Sequence, residues 1–322
     1  MAGKGPALTT TPKPAASAPA TFTGAPTIVT RAMVASLRLQ KAFGNRFGGH
    51  LDNPSLAAFP TTMPPRLATL GLSVVESDID GWQVWTLRTA APSAKYILGL
   101  HGGAFTLQPS LFHWIDYASI ARKTAATVVV PLYPLVPQGT AGTVVPQTAD
   151  LISSLIEQYG PHAVSVYGDS AGANIGLAAA QELVRRKDAM FARMVLVSPV
   201  VDLSLTNPSI ALIDDPVIGA VNNVQSSKLW AGDLELTDPL ASPLYGSLAG
   251  LPPTWVYAGS LELLAPDVLR LREKAVAGGA DITFILRKGE IHDWAGPGSH
   301  IPFTAGAATR PQIRRQLVGA IT

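Results

Sequence analysis

Tyr167-Gly168-Asp169-Ser170-Ala171-Gly172 stands between an apolar run and a long segment of small and helix-forming residues. The run before it, Ala163-Val164-Ser165-Val166-Tyr167, alternates β-branched with small side chains and predicts a buried strand. The segment after it, Ala171 to Arg186, is rich in Ala, Leu, Gln and Glu, lacks proline, and predicts a helix. A serine at that junction has its hydroxyl pushed out at the C-terminal edge of a sheet and its N–H at a helix N-terminus. Gly168 and Gly172 occupy the two positions where a strand-to-helix turn this tight has no room for a Cβ. The pattern is G-x-S-x-G, a nucleophile elbow. With 29 glycines in the chain such a pattern also arises by chance, so the strand-then-helix context is what gives it weight.

The chain has 322 residues, 47% apolar and 14% charged, enough to bury a sizeable core. A net charge of +2 gives no reason to expect nucleic acid as a partner. With no cysteine, disulfides and thiolate metal sites are excluded. The apolar runs are too short for a membrane span, and neither a metal nor a cofactor is called for. Oligomeric state cannot be read.

Met1 to about Pro26 is Ala, Pro, Thr, Ser and Gly with almost no large apolar side chain, the composition of a disordered tail. No acid precedes Asp52, which also suits a mitochondrial presequence, although the cytoplasm is the compartment expected. From Ile28 to Phe47, apolar Val29, Met33, Leu37, Phe43 and Phe47 recur at helical spacing with basic residues between them. Prolines 54, 60, 64 and 65 then break regular structure.

Two strands, Leu72–Val75 and Trp82–Leu87, flank Asp80-Gly81 and predict a hairpin. Strands follow at Tyr96–Leu100, Thr127–Val130, Met194–Val197, Trp255–Ala258 and Ile282–Leu286. Helices are expected around Tyr117–Thr124, Pro146–Tyr159 and Asp267–Ala277, and from about Gly306. Strands alternating with helices mean an α/β fold with a mostly parallel central sheet and helices on both faces. Val200 to Ser247 interrupts the alternation, with a weak helical pattern from about Pro216 to Leu229.

A serine needs a base. His292 follows the last strand, on the same sheet edge as Ser170, whereas His162 precedes the elbow strand at the opposite end. The imidazole in turn needs a carboxylate. Glu262 lies just past the preceding strand, where its loop can turn towards the histidine. Asp267 is the alternative, beside Pro266 where a helix would start, and there a carboxylate also serves the helix N-terminus. His101-Gly102-Gly103-Ala104 follows the strand expected beside the elbow. The N–H groups of Gly102, Gly103 and Ala171 would form an oxyanion hole, and His101 would hold the loop.

His101-Gly102-Gly103-Ala104-Phe105, Gly168-Asp169-Ser170-Ala171-Gly172, Ser242-Pro243-Leu244-Tyr245 before Leu251-Pro252-Pro253, and Gly289-Glu290-Ile291-His292 together resemble the hormone-sensitive-lipase-like branch of the α/β-hydrolases. The resemblance implies an α/β-hydrolase fold from residue 27 to 322 under a helical cap built from about 28–65 and 200–247. It implies a serine carboxylesterase with Ser170 as nucleophile, His292 as base and Glu262 as acid, acting on a small-molecule ester of short to medium acyl length. Many members of the family have a third glycine and an aspartate in a D-P-L motif, where this sequence has Ala104 and Leu261-Glu262-Leu263. The aromatics Phe105, Phe112, Trp114, Trp230 and Trp294 lie near site loops or cap and are candidates to line a pocket. A lactonase, amidase or carbamate hydrolase would use the same triad. A non-catalytic small-molecule receptor of the same fold would not need the histidine.

Overall fold

The computed structural model describes residues 21–46 and 60–319. Residues 1–20 of the expected tail, Phe47, and residues 48–59 of the expected first cap piece lie outside the described residues. Eight strands form one sheet in the order β1-β2-β4-β3-β5-β6-β7-β8. They are β1 (Ser73–Ile79), β2 (Trp82–Arg88), β3 (Tyr96–Leu100), β4 (Thr127–Pro131), β5 (Val164–Asp169), β6 (Arg193–Val197), β7 (Thr254–Gly259) and β8 (Ile282–Arg287). β2 runs antiparallel to β1 and β4, and all other pairings are parallel.

Side chains on the inner strands point alternately to two cores, because successive Cβ atoms leave a strand on opposite faces. Along β6, Met194 and Leu196 enter one core while Val195 and Val197 enter the other, all fully buried. The first core is closed by α3 (Ala141–Tyr159), α4 (Ser170–Arg186) and α6 (Ala265–Gly278); the second by α2 (Leu111–Thr124) and α7 (Ala305–Val318). This double cover is why the strands are nearly continuous apolar runs.

Three helix starts differ from expectation. α2 begins at Leu111 rather than near Tyr117, because the backbone N–H of Ser110 donates to His113 Nδ1 (3.0 Å) and closes the first turn. α3 begins at Ala141, with Pro146 inside it. The missing proline N–H forfeits one helical bond, which the buried face of Val144, Val145, Leu151 and Ile152 outweighs. In the insertion, α5 (Ala220–Ala231) starts four residues late, because Asp215 Oδ1 accepts from the N–H groups of Val217 (2.7 Å) and Ile218 (3.0 Å) and holds a turn there.

The last residues of the expected tail meet the sheet. Thr23 pairs with the free edge of β8, its N–H donating to Leu286 O (3.0 Å) and its carbonyl accepting from Lys288 N (2.9 Å). α1 (Ile28–Arg46) then buries Val34 and Leu37 against Val217 of the insertion and Ile291 of the loop after β8. Lys41 Nζ donates to Asp215 O (2.8 Å), and Arg38 pairs with the exposed Asp214 (3.1 Å).

Beneath the sheet, Asp116 of α2 accepts from Tyr167 Oη (2.6 Å) and pairs with Arg310 of α7. Burial would raise Asp116, but Arg310 and His300 hold it well below the usual carboxylate range. Asp116→Ala would strand a buried guanidinium and should lower stability by about 3–5 kcal/mol. Asp214→Ala, which breaks only exposed pairs, should cost under about 1 kcal/mol. Urea unfolding midpoints of the two variants check the contrast.

Candidate active site

Ser170 is the first residue of α4 and takes a left-handed backbone, φ 49°, directly after β5. That conformation costs a non-glycine residue roughly 1–2 kcal/mol, and close packing on both sides enforces it. A Cβ on Gly168 would stand 2.7 Å from Gly172 O, and one on Gly172 would collide with the carbonyl of Leu100 at the end of β3. The hydroxyl is thereby turned out over the C-terminal edge of the sheet.

Ser170 Oγ lies 3.0 Å from His292 Nε2, and His292 Nδ1 lies 3.0 Å from Glu262 Oε2. Glu262 is fully buried, and its other oxygen accepts from Gly259 N at 2.8 Å. The neighbouring Leu263 N–H donates to Asp215 Oδ2 (2.8 Å), so the insertion anchors the loop that carries Glu262. With Glu262 accepting at Nδ1, the neutral form of the imidazole keeps its proton there and has its lone pair at Nε2, facing the serine. Asp267 is engaged elsewhere: its Oδ1 accepts from Asn207 Nδ2 (3.1 Å) and Arg270 (3.0 Å) at the start of α6.

A cavity of about 120 Å³ opens on this relay. Gly103, Ala104, Leu107, Gln108, Val217 and Ile218 are among its lining residues, together with His113, Asp169 and Asp293. The loop after β3 turns through positive φ at Gly103, Ala104 and Phe105, with the N–H groups of Thr106 and Leu107 both donating to Gly103 O (3.0 Å). Gly102 N–H donates to Asp169 Oδ2 (3.1 Å), while Gly102, Gly103 and Ala104 all line the cavity. Ala171 lies in the first turn of α4, whose N–H groups have no helical acceptor. His101 donates from Nδ1 to Gly102 O (2.8 Å), stacks on Tyr133, and is pushed down to about 3 by burial, with His113 adding to the effect. It holds the loop as a neutral ring.

None of the expected pocket aromatics lines this cavity. Phe105 and Trp230 stack on each other in the core at 4.3 Å. Trp114 is fully buried, with Nε1 donating to Thr61 O (3.0 Å). Trp294 packs edge-on to Tyr257 and borders a separate cavity of about 30 Å³ beside Met33 of α1. Burying these large rings removes more apolar area from water than a half-exposed pocket wall would. The residues that do border the site and escaped the sequence are His113, Asp169, Asp293, Val217 and Ile218. His113 had one legible signal, its place three residues after Ser110 at a helix start. Among the described residues no group of three or more His, Cys, Asp or Glu is arranged to hold a metal ion.

A family model described as alpha/beta hydrolase fold matches residues 97–296. The chain belongs to the α/β-hydrolase fold family. Its motifs are those of the hormone-sensitive-lipase-like branch. A triacylglycerol lipase of Mycobacterium tuberculosis is 46% identical over 270 residues, covering 83% of this chain and 56% of that protein. The chain thus spans little more than half the length of that relative. An esterase of Acinetobacter venetianus is 31% identical over 207 residues, covering 63% of this chain and 68% of its own. A bacterial esterase of the hormone-sensitive lipase family has the same fold, with TM-score 0.73 and 24% identity over 90% of this chain and 98% of that one.

The two candidate acids separate by mutation. Glu262→Gln keeps the shape but removes the charge at Nδ1, and kcat for an ester should fall by about 10³–10⁴-fold. Asp267→Asn should change kcat less than about threefold, because its carboxylate bonds only to Asn207 and Arg270. Steady-state rates on p-nitrophenyl butyrate check both.

Proposed function

We propose that the chain hydrolyses carboxylic esters of short to medium acyl length through an acyl-enzyme on Ser170. The observation that carries the proposal is the relay Ser170–His292–Glu262, with both links at 3.0 Å and a cavity open to the serine. Ser170 Oγ attacks the ester carbonyl while its proton passes to His292 Nε2. The new negative charge on oxygen faces the N–H groups of Gly103, Ala104 and Ala171, donors fixed before the reaction begins. The imidazolium, held at Nδ1 by Glu262, then gives its proton to the leaving alcohol. Water repeats the sequence and releases the acid.

The length preference is supported by the cavity. About 120 Å³ of space, closed by Leu107, Val217 and Ile218, is a few waters' worth and suits an acyl chain of a few carbons. Val217 belongs to the insertion and packs against α1, so both expected cap pieces contribute to that limit. No described helix is long and apolar enough to cross a membrane, and a dissolved ester in the cytoplasm fits the same proposal. A receptor would have no use for a base and acid aligned on a serine at the floor of a cavity.

Ser170→Ala should abolish hydrolysis, by about 10⁴-fold or more in kcat, with an unchanged far-ultraviolet circular dichroism spectrum. For the wild type, kcat/KM should peak between acetate and hexanoate p-nitrophenyl esters and fall at laurate. Near-wild-type rates in Ser170→Ala would overturn the mechanism, and a laurate rate above butyrate would overturn the length assignment.

A further inference from the structure

The relay leaves Asp293 without a task, yet its carboxylate lies against the reacting nitrogen. Asp293 Oδ2 is 3.3 Å from His292 Nε2, the atom that also faces Ser170 Oγ. The imidazole therefore sits between two carboxylates, the fully buried Glu262 at Nδ1 and the partly buried Asp293 at Nε2, which borders the cavity. We propose that Asp293 is a second carboxylate of the catalytic imidazole, stabilising the imidazolium from the Nε2 side and thereby setting the pH range in which Ser170 is activated. The proposal rests on the hydrolase reading for its consequence, not for its geometry.

The backbone holds Asp293 in this place. It takes a left-handed conformation, φ 57°, in which Asp and Asn are the best-tolerated side chains after Gly. Its N–H donates to Ser198 Oγ (2.9 Å) at the end of β6, and its carbonyl accepts from Gly296 N (2.9 Å). The carboxylate is thus aimed at Nε2 by bonds that do not involve it.

The charged and titratable groups facing the ring come from four other elements, and each has other partners. Glu262, after β7, accepts from Gly259 N. Asp169, at the end of β5, accepts from Gly102 N and from His113 Nε2 of α2, both at 3.1 Å. His113 Nδ1 in turn accepts from Ser110 N. Asp215, in the insertion, takes the N–H groups of Val217, Ile218 and Leu263. Asp293 differs: Oδ1 is buried without a partner among the described residues, and Oδ2 has only the imidazole. Its nearest compensating charge is the imidazole of His292, with His113 adding a weaker one. Burial pushes the Asp293 carboxyl up, and Asp169 and Glu262 push the same way. Burial alone would lower His292, but Asp293 first and Glu262 next outweigh it, so the imidazole is raised.

The two effects of this charge oppose each other. While Asp293 is ionised, the imidazolium formed as Ser170 attacks is stabilised. The same charge keeps the resting ring protonated as pH falls, so the neutral base is lost sooner. No bond to Asp293 forms or breaks: the serine proton goes to Nε2, then to the leaving alcohol.

Asp293→Asn keeps size, backbone and the bond to Ser198, and Asp293→Gly suits the left-handed backbone should Asn fold poorly. The acid limb of kcat/KM on p-nitrophenyl butyrate should move down by about one pH unit or more in either variant. The pH dependence of Ser170 labelling by a fluorophosphonate and the imidazole titration of His292 followed by nuclear magnetic resonance should move with it. Plateau kcat should fall several-fold. Glu290→Gln, which removes a buried carboxyl two residues away that bonds to Thr30 instead, should leave the limb in place. An unmoved or upward-shifted limb and titration in the Asp293 variants would overturn the proposal. If the wild type hydrolyses no ester, the functional reading fails, and the His292 titration still decides the role of Asp293.

Discussion

Everything in the site follows from one strained position, the left-handed backbone of Ser170 between β5 and α4. Its conformation is unfavourable by itself and is held by packing: Gly172 lies against the Leu100 carbonyl so closely that a methyl group has no room. β5 is fully buried along its length, and α4 is buried from Ser170 to Leu183. A junction between two elements so deeply packed has no cheaper conformation to relax into. The serine is therefore outward-facing before any substrate arrives, and Ala171 N–H is aimed by the same turn.

The histidine is held differently, by a loop with several anchors. Gly259 at the end of β7 lies against the Glu290 carbonyl, and Leu261 N donates to that carbonyl (3.0 Å). Ile291 is gripped by Val34 and Leu37 of α1, and Thr30 of α1 reaches the Glu290 carboxyl at 3.5 Å. Asp293 is fixed to β6 through Ser198. α1 thus packs on the residue before His292 and bears on the position of the imidazole. The insertion acts at two places, with Val217 at the cavity and Asp215 on the loop that carries Glu262.

The strands and the elbow could be read from sequence because each is written locally, and His292 and Glu262 could be named because each follows a strand that ends on the same sheet edge as Ser170. Strands covered on two faces are short apolar runs, and the elbow carries its glycines beside it. What could not be read depends on partners far apart in the chain. The acceptor of the Gly102 N–H is Asp169, 67 residues away. Asp293 follows the base in sequence, but its isolation is visible only once the partners of Asp169, Asp215 and Glu262 are known. Phe105 and Trp294 are adjacent to site residues in sequence, yet adjacency says nothing of direction, and both turn into the core. The start of α2 was hidden because a side chain, His113, closes its first turn where a backbone pattern was sought.

The central claim is that Ser170 carries the acyl group, and the direct measurement is peptide mapping by mass spectrometry after mixing with p-nitrophenyl butyrate and quenching in acid within the first turnovers. A single butyryl group on the peptide that carries Ser170 is the predicted result. Turnover with Ser170 unmodified, or with the butyryl group on another residue, would contradict it.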